Sequence, residues 1–188
     1  MANTCFTTYV ITGKEENSEA YKKLSEFIWS KEVGDMWLGE LAEHYEIDYK
    51  WLDISIRGWI VYCSEKDGVL TLEVESAWSP NEELFLEINK KLGGQLSISW
   101  KAEESGSDIF WIHDEGGYFP ERYFVDCDGW KDCESDYFET AKEVVDYWCK
   151  LTGEKRDGKT DKEMLDVIED WEYENDDMFF VVHEFDVD

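Results

Sequence analysis

The hydrophobic pattern divides the chain into short, alternating elements. Cys5 to Ile11 is β-branched and aromatic and closes at Gly13, which predicts a strand. Asn17 and Ser18 offer caps for a helix whose apolar positions Ala20, Tyr21, Leu24, Phe27 and Ile28 recur with the helical period. Met36, Trp37, Leu38, Leu41 and Tyr45 predict a short helix, while Trp51 to Ile54 follows no single period. Ile56 to Cys63 and Val69 to Ala77 read as two strands around the Asp67-Gly68 turn, a hairpin. Ser79-Pro80-Asn81-Glu82 then predicts a helix start: a capping hydroxyl, a proline at the first helical position and a glutamate three residues on. Leu84, Phe85 and Ile88 form its apolar side, and Gly93-Gly94 ends it. Gln95 to Trp100 reads as a strand, and Ile109 to His113 and Arg122 to Val125 as two more around Gly116-Gly117.

The last third has a different character. Residues 135–151 predict a helix with Phe138, Ala141, Val145 and Trp148 on one side and Gly153 as its stop. Thr160 predicts another, with Glu163 completing a capping box and Leu165, Ile168 and Trp171 as the apolar stripe. Met178 to Val182 reads as a final strand. In order, the first hundred residues give strand, helix, hairpin, helix, strand. The expected fold class is therefore α+β: a ferredoxin-like β-α-β-β-α-β sandwich with an added hairpin and an acidic helical C-terminal extension. The expected division is 1–126 for the sandwich and 127–188 for an extension packed on it rather than an independent domain.

Three segments also carry a family resemblance: Arg57-Gly58 opening a strand, Ser76-Ala77-Trp78-Ser79-Pro80 leading into a helix, and Glu103-Glu104-Ser105-Gly106 after the next strand. In these the chain resembles the YubB-type ferredoxin-like domain proteins of bacteria, plasmids and phages, over roughly residues 1–126. The resemblance implies the fold and a mobile-element or phage setting. It implies no catalytic residues, and the name describes topology, since the cysteines offer no cluster site.

Composition narrows the function. The 188 residues hold 46 acidic against 18 basic side chains, a net charge of −28, yet also ten each of Trp, Tyr and Phe. Disordered acidic chains lack aromatics, so this one folds. No apolar run nears the roughly 20 residues that span a bilayer, and Met1 to Cys5 shows neither the basic nor the apolar part of a signal peptide. The field of the whole molecule opposes direct binding to nucleic acid or an anionic membrane. Five cysteines, odd in number, widely spaced and without C-x-x-C, predict reduced thiols in a cytoplasm, with Cys5, Cys63 and Cys149 as small core residues.

Candidate chemistry is sparse. Gly153 to Thr160 matches the phosphate loop G-x-x-x-x-G-K-[ST], which makes Gly158, Lys159 and Thr160 candidate nucleotide-binding residues. An amphipathic helix rather than a buried strand precedes it, and Glu154 and Asp157 would repel phosphate; Gly153 as a helix stop and Thr160 as a cap explain the same residues locally. Asp126-Cys127-Asp128-Gly129 with Asp132 resembles a calcium loop, but that register puts Phe124 and Ser135 at obligatory ligand positions, so a solvated turn is expected. His44, His113 and His183 have no metal-ligand spacing. No nucleophile motif appears, and no residue set calls for a cofactor, a metal or a catalytic group. The tryptophans mostly occupy apolar periodic positions and are expected in the core, with Trp130 or Tyr118 available to a partner. A small ligand on an aromatic sheet face is a further alternative.

What remains is the placement of the charge. Residues 121–188 carry 23 acidic and 8 basic groups, net −15 of the total −28. On the first C-terminal helix Asp136, Glu139, Glu143 and Asp146 form a stripe; on the second, Glu163, Asp166 and Asp170 repeat it and Glu174 extends it. Carboxylates so spaced stand roughly 5–6 Å apart along a helix rising about 1.5 Å per residue, on the scale of phosphates along a nucleic-acid strand. The leading expectation is a non-catalytic, cytoplasmic interaction protein. Its stripes would mimic nucleic acid and occupy the basic surface of a host nucleic-acid-binding or defence protein. A solvated coat that maintains solubility accounts for the same counts.

Overall fold

The first strand organises the molecule. Thr4–Gly13 (β1) turns Cys5, Thr7, Tyr9 and Ile11 to one side and Phe6 and Thr8 to the other, the two-residue period of a strand buried on one face. It is followed by α1 (Glu19–Trp29), β2 (Met36–Trp37), α2 (Leu38–His44), β3 (Gly58–Lys66), β4 (Val69–Ala77), α3 (Glu82–Lys91), β5 (Leu96–Glu104) and β6 (Ile109–His113). Next come β7 (Tyr123–Asp128), β8 (Asp136–Phe138), α4 (Ala141–Thr152), α5 (Asp161–Glu169), β9 (Phe179–Glu184) and β10 (Asp186–Val187). This is a computed structural model, and it describes residues 3–31, 34, 36–173, 175 and 177–188.

The protein is mixed α and β, with five α-helices among the described residues and two sheets. The larger has the order β10-β6-β5-β1-β4-β3-β2, the smaller β8-β7-β9. β1 pairs antiparallel with β4 on one side and β5 on the other, and β3 pairs antiparallel with β4. No helix is long and apolar enough to cross a membrane among the described residues.

Two compact units result: Met1–Phe119 with Val187–Asp188, and Pro120–Asp186. In the first, Leu24 and Ile28 of α1, Leu38 and Leu41 of α2, and Leu84, Phe85 and Ile88 of α3 pack on the inward side chains of β1, β3, β4 and β5. Phe85 lies on Tyr9 with ring centroids 4.1 Å apart, and each such side chain contributes about 1.5–3 kcal/mol through burial. In the second, Val125 and Cys127 of the central strand β7 meet Val144, Val145 and Trp148 of α4, Met164 and Ile168 of α5, and Phe180 of β9.

Several local expectations are corrected. Met36–Trp37 is a strand rather than the start of a helix, because it pairs with Ile60 and Trp59 of β3. Ser79 does not cap α3. Its carbonyl accepts the Ser76 hydroxyl at 2.7 Å, Pro80 lies before the cap, and the buried Asn81 takes the cap position. Asn81 is fixed there by donating its amide N–H to the Tyr9 hydroxyl and its Nδ2 to the Ser55 carbonyl. The strand expected at Arg122–Val125 does not extend the first sheet but centres the second, so the break between units falls at Pro120, ahead of residue 126. The helix expected over 135–151 starts only at Ala141, since Asp136–Phe138 pairs with β7. Cys127 and Cys133 are joined as a disulfide, where free thiols were expected; Cys5, Cys63 and Cys149 are free.

Two contacts hold the first unit at points where sequence choice is narrow. At Gly58, a Cβ would lie 2.9 Å from Asn81 Oδ1, 2.9 Å from Leu38 Cδ1 and 3.0 Å from the Glu75 carbonyl oxygen. Gly58→Ala is therefore expected to lower stability by about 1–3 kcal/mol, the usual scale of overpacking, read as a shift of the urea midpoint at unchanged slope. At the other end of β3, Glu65 accepts from Ser25 Oγ at 2.7 Å, Tyr21 Oη at 2.8 Å and Trp29 Nε1 at 2.9 Å, tying the strand to α1.

The Ser25 hydroxyl above all, with Tyr21 and Trp29, holds the Glu65 carboxyl below its ordinary value of 4.5. A lowered folded-state value stabilises the fold above the unfolded-state value, and that stability disappears as pH falls through the folded one. Glu65→Gln is thus expected to destabilise the wild-type fold at pH 7 by about 1 kcal/mol, at the low end for bonds to a charge because the group is solvent-exposed. The gap to wild type should close below pH 4. Urea midpoints measured at both pH values check this, and a gap independent of pH refutes it.

Candidate functional site

The acidic residues of the second unit are placed one by one by local chemistry. Thr140 is the cap of α4, and its hydroxyl and the Glu143 carboxylate form a capping box. Glu143 Oε2 accepts the Thr140 amide at 3.0 Å, its hydroxyl at 2.9 Å and the Glu139 amide at 3.2 Å. Asp136 is on β8 and Glu139 precedes the cap, so the first stripe is not continuous on one helix. Asp146 is bridged by Lys142 at 2.6 Å and Arg156 at 2.7 Å, and these hydrogen bonds, Lys142 first, hold its carboxyl below the usual range. The solvent side of α4 accordingly mixes both signs: Lys142, Glu143, Asp146, Lys150.

α5 keeps more of its charge. Thr160 caps it, and the Thr160 amide and then its hydroxyl lower the Glu163 carboxyl by donating to it, both at 2.8 Å. Asp166 is exposed on the helix and Asp170 is exposed at its C-terminal cap, neither within ion-pair distance of a cation among the described residues. Glu174, the last residue of the second stripe, lies outside the described residues.

The segment 153–160 joins helix to helix. Gly153 ends α4 with φ 79°, and Asp157 and Gly158 turn the chain with φ 47° and 81°. Arg156 is held between Asp146 and Asp161. The Lys159 amide donates to the Arg156 carbonyl at 2.9 Å. The Thr160 amide and hydroxyl are both engaged by Glu163, so the groups a phosphate would need are occupied by the helix cap. Thr160→Ala is expected to cost about 1 kcal/mol as a lost cap, visible in urea unfolding, while Lys159→Ala should leave stability unchanged; equal losses would refute the capping role.

The histidines have structural neighbours. His113 Nδ1 is 2.8 Å from Asp188 Oδ1, His44 stacks on Phe27 at 3.8 Å between centroids, and His183 lies over Phe124 at 6.1 Å. Among the described residues no three His, Cys, Asp or Glu side chains are grouped to hold a metal. Of the Asp126–Asp132 segment, Asp126 accepts from the Ser135 hydroxyl and Asp128 from the Gly129 amide, as in a turn.

The segments that carried the family resemblance converge at one end of the large sheet. The Ala77 amide donates to the Arg57 carbonyl, the Trp78 amide donates to the Asn3 carbonyl, and Gly58 pairs with Ser76. Glu104 caps the 3-10 turn Ser105–Ser107; the Ser107 hydroxyl, the Gly106 amide and Asn3 hold its carboxyl low. Trp78 has φ 76°, a left-handed backbone unusual for so large a residue. A cleft of about 280 Å³ opens here, lined by Asn3, Thr4, Trp37, Arg57, Trp59, Glu75, Ser76 and Ala77. Ala77, one of its lining residues, is held by pairing with Thr4 and by its amide bond to the Arg57 carbonyl.

This end of the sheet continues into an open face that the sequence did not single out. The tryptophans are corrected as a class: Trp148 is buried, but Trp29, Trp51, Trp59, Trp78 and Trp111 are exposed. The chain matches no protein-family model and no curated protein.

Proposed function

We propose that the protein is a non-catalytic interaction protein that engages a basic partner through its acidic surface. In this reading the first unit is a ferredoxin-like domain of the YubB type, from a phage, plasmid or related mobile element, acting in the cytoplasm, where the three free cysteines fit and the Cys127–Cys133 disulfide is an exception. The partner is the basic groove of a nucleic-acid-binding or defence protein, whose natural ligand the carboxylates imitate. The β-α-β-β-α-β succession of β1, α1, β3, β4, α3 and β5, with strand order β5-β1-β4-β3, supports the ferredoxin-like assignment.

The observation that carries the interaction reading is that the charge stands on ordered structure. The second unit has its own core of Trp148, Phe180, Ile168 and their neighbours, and from it Glu139, Asp166 and Asp170 project as exposed carboxylates. A solvated coat needs only net charge, whereas imitation of a phosphate row needs fixed positions. Conversely, the carboxylates whose titration is lowered, Glu65, Glu104, Asp114, Asp146 and Glu163, each bind donors of the fold itself. That use of them argues against an acid–base centre.

Glu139→Lys/Asp166→Lys/Asp170→Lys leaves both capping boxes and the Lys142–Asp146–Arg156 bridge in place. The triple variant is expected to fold as wild type by circular dichroism. It should lose a DNA-binding protein that wild type retains from host lysate and that added duplex DNA displaces. Retention of that protein by the triple variant, or capture that DNA does not compete with, refutes the mimic.

A further inference from the structure

Over β3, β4 and the first half of β1, the side of the large sheet away from the helices is exposed, and on it aromatic rings alternate with glutamates. In the register Phe6 stands opposite Glu75, and Glu75 opposite Trp59; one row on, Thr8 stands opposite Glu73, and Glu73 opposite Tyr62. Phe6 is 57% exposed, Trp59 49% and Tyr62 49%, and Glu73 and Glu75 are exposed between them. Tyr62 belongs to this face because of a β-bulge. The register of β3 against β4 shifts between Ile60 and Tyr62, so Tyr62 falls beside Glu73 while Cys63, rather than Tyr62, faces inward beside Leu72. Bulges commonly re-aim a side chain in this way.

The fold itself does not neutralise these two glutamates. Lys101, on the same face one strand beyond β1, pairs with Glu103 at 3.5 Å, and neither Glu73 nor Glu75 has a cation within 4.0 Å among the described residues. Two like charges on alternate residues of one strand repel mildly, and exposed rings in a contiguous group are a surface that water solvates poorly. Both penalties are relieved by the same ligand, a cation with a flat, weakly hydrated face.

We infer that this face is the anchor of the partner interface and receives arginine side chains of a basic polypeptide segment. The inference rests on the basic-partner reading above and adds to it a short-range contact on the sheet, beside the longer-range attraction of the second unit's charge. Directly opposed residues in an antiparallel pair lie about 4.5–5.5 Å apart, and successive residues on one face about 7 Å apart along the strand. A guanidinium within about 6 Å of a ring centroid gains a cation–π contact. At that spacing it also meets the adjacent carboxylate, in the bidentate geometry that lysine cannot adopt. Trp59 with Glu75, and Tyr62 with Glu73, each form such a ring-and-carboxylate pair, one row apart along β3 and β4.

The test uses the full chain and a nona-arginine peptide, followed by quenching of tryptophan fluorescence and by calorimetry at about 150 mM salt, where remote charges are screened. Glu73→Gln/Glu75→Gln changes charge without changing shape, and Trp59→Leu removes one ring; thermal unfolding verifies that each variant is folded. Both are expected to weaken binding about tenfold, as loss of an interface anchor does. Asp166→Asn/Asp170→Asn, the same charge change on the second unit, should weaken it by about twofold or less, and nona-lysine should bind wild type more weakly than nona-arginine. If the second-unit pair weakens binding as much as the sheet pair, or the Trp59 variant binds as wild type, the sheet face is not the anchor although the basic-partner reading survives. If wild type shows no saturable binding, both fall.

Discussion

Everything in the first unit depends on β1 being paired on both sides. Strand β1 fixes the parity of β4 and β5 at once: Tyr9 opposite Leu72 and Trp100, Phe6 opposite Glu75 and Glu103. A slip of one residue in either ladder would turn the helix-facing side chains outward, which the burial of Tyr9, Ile11, Leu70 and Leu72 forbids. With the helix side so constrained, the content of the other side is not free either. Whatever alternates with the core residues of β1, β3 and β4 must appear there, and in this chain that is Phe6, Trp59, Glu73 and Glu75. The bulge after Ile60 breaks the parity of β3 against β4, and it adds a tyrosine to the open face.

The excess of acid is less uniform than the net charge of −28 suggests. A carboxylate is the strongest acceptor available to a side chain, and this protein uses many of its own as fasteners. Glu65 ties β3 to α1; Asp114 takes the amides of Gly116, Tyr118 and Phe119, which outweigh burial and hold its carboxyl low. Glu143 and Glu163 close helix starts. Each of these carboxylates keeps its charge and adds to the general field, but its oxygens are engaged by neutral donors of the fold. The carboxylates whose oxygens face solvent for direct contact include Glu73 and Glu75 on the sheet and Asp166 and Asp170 at α5.

The parts legible in the sequence were those decided locally or by a clean period. Helix α1 and its Ser18 cap, the β3–β4 hairpin, the Thr160–Glu163 capping box and the succession β1, α1, β3, β4, α3, β5 follow from residues close in the chain. What was not legible depended on distant partners. Asn81 displaces Ser79 as the cap because Tyr9 and Ser55, far away in sequence, supply its hydrogen bonds. β7 leaves the first sheet because Val125 and Cys127 have a second core to enter. The late start of α4 was available in principle, since Thr140 and Glu143 have capping-box spacing, but the apolar spacing of Phe138 and Ala141 is equally helical and concealed it. The open face was hidden for a different reason. Trp59 opposite Glu75 is a statement about register, and Tyr62 beside Glu73 requires a bulge that no local pattern announces.

That difference bears on how the two acidic surfaces can act. At about 0.15 M salt the screening length is near 8 Å, so an isolated exposed carboxylate on α5 attracts a partner weakly and mainly guides its approach. A carboxylate beside a ring acts differently: the ring displaces water from one side of the cation and lowers the local dielectric for the contact on the other. Short-range contacts of that kind govern how long a complex lasts, whereas the wider field governs how fast it forms. A chain with charge on the helices and rings among the glutamates of its sheet therefore has the elements of both, separated onto surfaces that mutation can address independently.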